Sequence, residues 1–379
     1  MTWRGGWRGA GRALAAPLLC ASLLAGCASS SKPKPTPLEE FTPKISGRAV
    51  WQSSIGDVRF PLVAVVRDGR FIVADDDGTV VAIEAETGRE AWRASVGAKL
   101  SAGVGSDGRT TAVVTRDGEL AAIEAGAVKW RKPIGTRVTT PPLVAGERVF
   151  VLGVDRSLHA FDALDGRRLW GTPRSGDPLT LSQSGVLLAV GDTLVAGQAA
   201  RLAGFDPLRG TLRWEVPMAS PRGTNEVERL ADLVAPVYRD GDKVCVRAFQ
   251  AAVGCADTAR ATLLWSRNFG GADGIAGDAQ LVFAADAADR ISAWRAGSGE
   301  LAWSSERFVH RGLSTPLALG PTVVFGDGEG FVHWLSRDDG STLLRLPTDG
   351  GAVVAQPVVA GTTLLVVTRK GGLFAFRPQ

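Results

Sequence analysis

Residues 79–95, TVVAIEAETGREAWRAS, decide the fold. The first six alternate apolar and β-branched side chains as a strand does, Glu86-Thr87-Gly88 is turn chemistry, and the last six read as a second strand carrying Trp92. Gly88 stands four residues before Trp92, and that spacing recurs along the chain: Gly47 and Trp51, Gly126 and Trp130, Gly166 and Trp170, Gly210 and Trp214, Gly299 and Trp303. Two copies are degenerate, Ala261 before Trp265 and Gly340 before Leu344. The intervals between closing residues are 41, 38, 40, 44, 51, 38 and 41, a period of propeller blades. Within one interval, residues 61–66, 70–74, 79–84 and 90–95 are short apolar or alternating runs separated by polar, glycine-bearing turns. Four strands per repeat make one antiparallel blade. The third strand of each unit keeps a small residue in one slot (Ala82, Ala122, Ala160, Gly204, Cys255, Ala293 and Ala375), with Trp334 as the exception. The chain opens on a lone outer strand, residues 47–51, and closes on three strands with none after them. The reading is therefore all-β: an eight-bladed β-propeller of four-stranded antiparallel blades, closed by pairing of the N- and C-terminal strands, which removes the exposed edges of an open array.

The residues before the first blade have a different character. Arg4, Arg8 and Arg12 precede an apolar run at 13–25 that ends Leu24-Ala25-Gly26-Cys27, the three parts of a secretory signal. The last four residues match the lipobox of bacterial lipoproteins, which predicts cleavage before Cys27 and a diacylglycerol on its thiol. Ala28 follows where resembling lipoproteins carry aspartate for inner-membrane retention, so the expected address is the periplasmic face of the outer membrane. The domain reading is a signal peptide at 1–26, a lipidated cysteine with a Pro/Ser tether at 27–44, and the propeller at 45–379. No apolar run reaches the roughly 18 residues of a spanning helix. The net charge of +4 comes from 43 basic and 39 acidic side chains. The arginines of the signal supply most of that excess, so the mature domain has no electrostatic footprint for nucleic acid.

The sequence offers little for catalysis. His159 and His333 share one slot of the third strand, so repeat geometry accounts for both. Neither HExxH, a paired CxxC, GxSxG nor a phosphate-binding glycine loop is present, and Asp75-Asp76-Asp77-Gly78 lacks the distal glutamate of a calcium loop. No metal and no cofactor are expected. Cys245 and Cys255 remain after the signal and the lipid site, in a compartment that permits disulfides. They face each other if an odd-length hairpin loop is centred on Gln250, and lie on opposite faces if Gln250-Ala251 is a two-residue turn; Cys255 also reads as a small buried hydrophobe.

These repeats resemble the pyrroloquinoline-quinone enzyme-like propellers. The lipobox, the proline tether, the eight units and the run Glu226-Val227-Glu228-Arg229-Leu230-Ala231-Asp232 together resemble the BamB family of lipoproteins. That resemblance implies a non-enzymatic scaffold of the machinery that folds β-barrels into the outer membrane. The scaffold would bind the POTRA domains of BamA and hold unfolded client segments by strand addition. The family's BamA-binding segments resemble a Leu-x-Leu-Arg run and an Asp-x-Asp run. Leu179 and Leu181 match the first, with Ser182 in place of arginine; Asp232 matches the second, with Val234 in place of the other acid. Residues 171–185 and 215–235 both connect an outer strand to the next innermost strand, so they emerge on one face, and the second is the longest connector of the repeat. Arg229, three residues before Asp232, either pairs with it internally or faces the partner. Two other classes stand against this reading: a quinoprotein dehydrogenase, for which blade insertions and a vicinal cysteine pair are missing, and a sugar-binding propeller, for which the tryptophans are already used in blade packing.

Overall fold

The computed structural model describes residues 33–173, 181, 183–220 and 230–378. Among them there is no helix, and the strands form eight four-stranded antiparallel sheets. Blades 1 to 7 occupy residues 65–95, 100–133, 143–171, 187–217, 233–268, 276–305 and 317–347. Each has its strands side by side in chain order. Blade 8 is composite: Gly47–Ser54 pairs with Gly372–Pro378, running from Gly47 opposite Pro378 to Ser54 opposite Gly372. The first strands touch around the axis, blade 1 against blades 2 and 8, blade 3 against 2 and 4, blade 6 against 5 and 7, and so form the inner ring.

Three of the four strands read in residues 61–95 match the structure: Arg70–Ala74, Thr79–Glu84 and Glu90–Ser95. The innermost is Val65–Arg67 instead of 61–66. Its earlier residues lie beside the axis, where Leu62 makes a single parallel bridge to Gly103 of blade 2. Six of the eight inner strands are only 2–4 residues long, and an apolar run beside the axis reads as strand although part of it serves inter-blade packing.

The small slot of the third strand lies directly opposite the tryptophan of the fourth. Ala82 pairs with Trp92, Ala122 with Trp130, Ala160 with Trp170, Gly204 with Trp214, Cys255 with Trp265, Ala293 with Trp303 and Ala375 with Trp51. A β-bulge beside each pairing re-aims the indole. Blade 7 exchanges the two sizes: Trp334 stands in the slot, fully buried against Phe376, and Leu344 lies opposite. The slot therefore balances volume across one strand pair.

The glycine of each repeat serves the preceding blade. A methyl added at Gly88, Gly166, Gly210, Gly299 or Gly340 would lie 2.5–2.7 Å from the indole of Trp51, Trp130, Trp170, Trp265 or Trp303, respectively. These glycines also hold φ between +66° and +73°, where L side chains are strained. The same five indoles donate N–H to a carbonyl of the next blade, that of Ala85, Ala163, Pro207, Ala296 or Arg337, at 2.8–3.0 Å. Ala261, the degenerate copy, keeps the left-handed conformation at φ +53° beside the cluster that includes Trp214.

The hairpin at 249–251 has three residues centred on Gln250, which places Cys245 opposite Cys255, and the two sulfurs are bonded. Residues 36–44, read from sequence as part of the tether, are fastened to blades 6 and 7. Thr36 donates its N–H to the Val309 carbonyl, and its own carbonyl accepts from Arg311 at 2.9 Å. Leu38 packs on the core between those blades, Thr342 donates to Glu39 at 2.6 Å, Arg345 lies over the Phe41 ring, and the Lys44 amide reaches the Leu343 carbonyl. Arg311 is held from below by Asp327, itself hydrogen-bonded to the buried His333 at 2.9 Å. Burial pushes the His333 imidazole down despite Asp327, so it is neutral at neutral pH.

Two expectations follow in denaturation experiments. Gly210→Ala should cost about 2–4 kcal/mol through strain and overlap with Trp170, whereas Ala261→Gly should gain up to about 1 kcal/mol; losses at both sites would refute the stitching role. Deleting residues 28–35 should leave stability unchanged, deleting 28–45 should lower Tm by stripping the strap, and deleting 28–51 should abolish soluble monomer by opening blade 8. Equal Tm for the first two deletions would show that the strap does not hold.

Candidate docking face

In this topology the connectors between blades and the turns between second and third strands share one face. One cluster on it draws on three parts of the chain: the turn at 153–157 of blade 3, the connector from blade 3 to blade 4 at Leu181, and the connector from blade 4 to blade 5 at Asp232. Asp232 joins them. Its Oδ1 accepts from Nη2 and Nε of Arg156 at 2.9 and 3.2 Å, and its Oδ2 accepts the backbone N–H of Leu181 at 3.4 Å. The Arg156 and Asp232 side chains are only 12% and 17% exposed, so the pair is sheltered from the screening that weakens surface ion pairs.

Short polar bonds lock the surrounding backbone. Thr139 donates to the Gln183 carbonyl and Ser184 to the Thr139 carbonyl. The Gly185 amide reaches Thr140 at 2.8 Å, and the amides of Leu233 and Ala235 reach the carbonyls of Ala199 and Ser184. Gln198 donates to the Arg156 carbonyl at 3.1 Å. Inside the blade 3 turn, Asp155 accepts the Ser157 amide and hydroxyl. Burial pushes the Asp155 carboxyl up, but these bonds more than offset it and hold it below its ordinary value. Ser157 in turn meets His159, whose imidazole burial keeps neutral.

Of the residues singled out by sequence, Leu181 and Asp232 meet on this face and Leu230 lies in the same connector as Asp232, the two leucines half-buried. Leu230 lines a broader groove with Met218, Ala219, Phe249 and Leu263. Cys27, Leu179, Ser182 and Arg229 lie outside the described residues. One expectation changes. Asp232, read as a carboxylate displayed on a loop, is mostly enclosed. A guanidinium paired with it comes from Arg156, 76 residues away in the chain. Val234, where the resemblance expects a second acid, is 3% exposed and bridged to Gly185, a place suited to an apolar side chain.

The axial channel lacks the features of a quinone site. Its lining includes Gln183, Ser184, Asp273, Thr315 and Gln356, with Asp273 the one carboxylate among these. Among the described residues no three His, Cys, Asp or Glu side chains group for a metal. The cystine is a cross-strand pair ten residues apart instead of a vicinal platform. These residues do not fit that cofactor and its calcium.

Comparison with known proteins bears on the family and the fold. The family model described as outer membrane protein assembly factor BamB matches residues 40–100 and 76–305. The outer membrane protein assembly factor BamB of Burkholderia pseudomallei is 36% identical over 374 residues, covering 96% of this chain and 98% of its own. Among solved structures, BamB from Moraxella catarrhalis superposes with a TM-score of 0.79 at 20% identity, over 88% of this chain and 100% of that one. The quinohemoprotein alcohol dehydrogenase of Comamonas testosteroni gives 0.68 at 16% identity, over 87% of this chain and 76% of that one, a likeness of fold alone. On the family match and the near-full-length relative, the chain belongs to the BamB family of outer membrane protein assembly factors.

Proposed function

We propose that this chain is a non-enzymatic scaffold of the β-barrel assembly machinery. A lipid on Cys27 holds it to the periplasmic face of the outer membrane, and the connector face docks the POTRA domains of BamA. The observation that carries the docking assignment is the convergence of Leu181 and Asp232, 51 residues apart, on one clasped surface. Leu181 and Leu230 supply apolar contact, and Leu179, Ser182 and Arg229 are assigned to the same docking role by their places in the two connector sequences; a small apolar centre with a polar rim is how limited interfaces concentrate affinity. The ring itself suits a scaffold, because its closed sheets hold the connectors in fixed relation. Its fourth strands leave one edge free for extended client segments.

The test uses the full-length protein, purified through a C-terminal tag from outer membranes. Leu181→Glu with Leu230→Glu should abolish co-purification of BamA while changing stability little, since neither side chain is deeply buried. Cys27→Ala should move the protein to the soluble periplasm. BamA recovered at wild-type yield with the double leucine variant would overturn the docking assignment.

A further inference from the structure

The turn between the second and third strands repeats in six blades with one backbone form. In each, one residue sends its N–H to the carbonyl three positions earlier: Gly78 to Asp75, Gly118 to Thr115, Arg156 to Gly153, Asp289 to Asp286, Gly330 to Asp327 and Gly371 to Thr368. That residue has positive φ in every case, from +63° at Arg156 to +96° at Gly78. Glycine takes this conformation freely, whereas a side chain makes it unfavourable. Four blades use glycine and two do not, and both exceptions tie their turn to a connector. Asp289, of a residue type that tolerates the left-handed region, accepts the amides of Gly312 and Leu313 at 2.7 and 3.0 Å. Arg156 reaches Asp232, which lies in the connector beyond the next blade and also receives the Leu181 amide.

We infer that Arg156 is a positioning residue for the docking face: its guanidinium holds Asp232, and through Asp232 the Leu181 segment, in the arrangement a BamA POTRA domain meets. The inference rests on the docking reading above and deepens it. It also gives Asp232 an internal role, as the acid that clasps two connectors. The turn backbone has no need of arginine, since four other blades close the same turn with glycine. A cation is needed beside Asp232, and Arg156 brings it from a position that sequence proximity to Asp232 does not reveal. Arginine is suited to this, because its fork can bond one carboxylate through two nitrogens, as Nε and Nη2 do here.

The test is titration of the full-length protein with a POTRA fragment of BamA from the same organism, with Tm measured in parallel. Arg156→Gly should lower Tm only modestly, because the turn's preferred residue offsets part of the loss of the sheltered pair, while weakening binding about tenfold or more. The exchange of charges, Arg156→Asp with Asp232→Arg, should recover most of the affinity, since aspartate is accepted in the same turn slot of blade 6. Unchanged affinity for Arg156→Gly, with affinity lost for Leu181→Glu, would overturn the inference and leave the docking face standing. Unchanged affinity for both variants would overturn the docking reading and the inference with it. If Arg156→Gly lowers Tm more than modestly, the exchange variant decides: normal Tm with lost affinity would mean that the partner itself reads the acid at 232, against the internal role.

Discussion

An indole laid on a glycine of the next blade is the contact on which this ring depends. A propeller blade is a small sheet with two faces to cover, and each covers its neighbour's. The tryptophan at the end of one blade provides the bulk, the left-handed glycine of the next provides a surface without a Cβ, and an indole N–H to carbonyl bond fixes the approach. Small residues opposite the indoles and the bulges beside them follow from the same need for space. Blade 7 shows that the requirement is volumetric: with Trp334 in the third strand, leucine suffices in the fourth.

A ring stitched in this way makes its connectors a surface. Loops on separate elements ordinarily move independently, but here the connectors around Leu181 and Asp232 leave neighbouring blades whose spacing is set by core contacts. Among the described residues, polar bonds run between the connectors: Thr139 with Gln183 and Ser184, Thr140 with Gly185, Ala235 with Ser184. The sheltered Arg156–Asp232 pair adds a stronger clasp where one connector must hold the next. Preorganisation of this kind reduces the ordering cost that a partner would otherwise meet on binding.

Most of the architecture was legible because the repeat states it eight times. The glycine-to-tryptophan spacing located the turns, three strands of the unit at 61–95 matched their observed bounds, and the unmatched ends implied the composite blade. What escaped was written once. Arg156 lies 76 residues from the acid it serves, and its only mark in the sequence is a non-glycine where Gly78, Gly118, Gly330 and Gly371 stand in sister turns. The strap at 36–44 looked like tether because prolines and charges dominate its neighbourhood, yet Leu38 and Phe41 each find apolar or aromatic-stacking partners on the ring. The cysteine pairing turned on the parity of one hairpin loop, which composition could not decide.

The opposite face, formed by the turns between third and fourth strands, is a real competitor for the partner, since it displays Leu164 and Leu208 at 78% and 61% exposure. Hydrogen–deuterium exchange on the full chain, with and without BamA POTRA domains, separates the two faces. The account expects new protection in residues 153–157, 181–185 and 230–235, with none at 163–166 and 206–210. Protection confined to the latter turns, with the connectors unchanged, would contradict it.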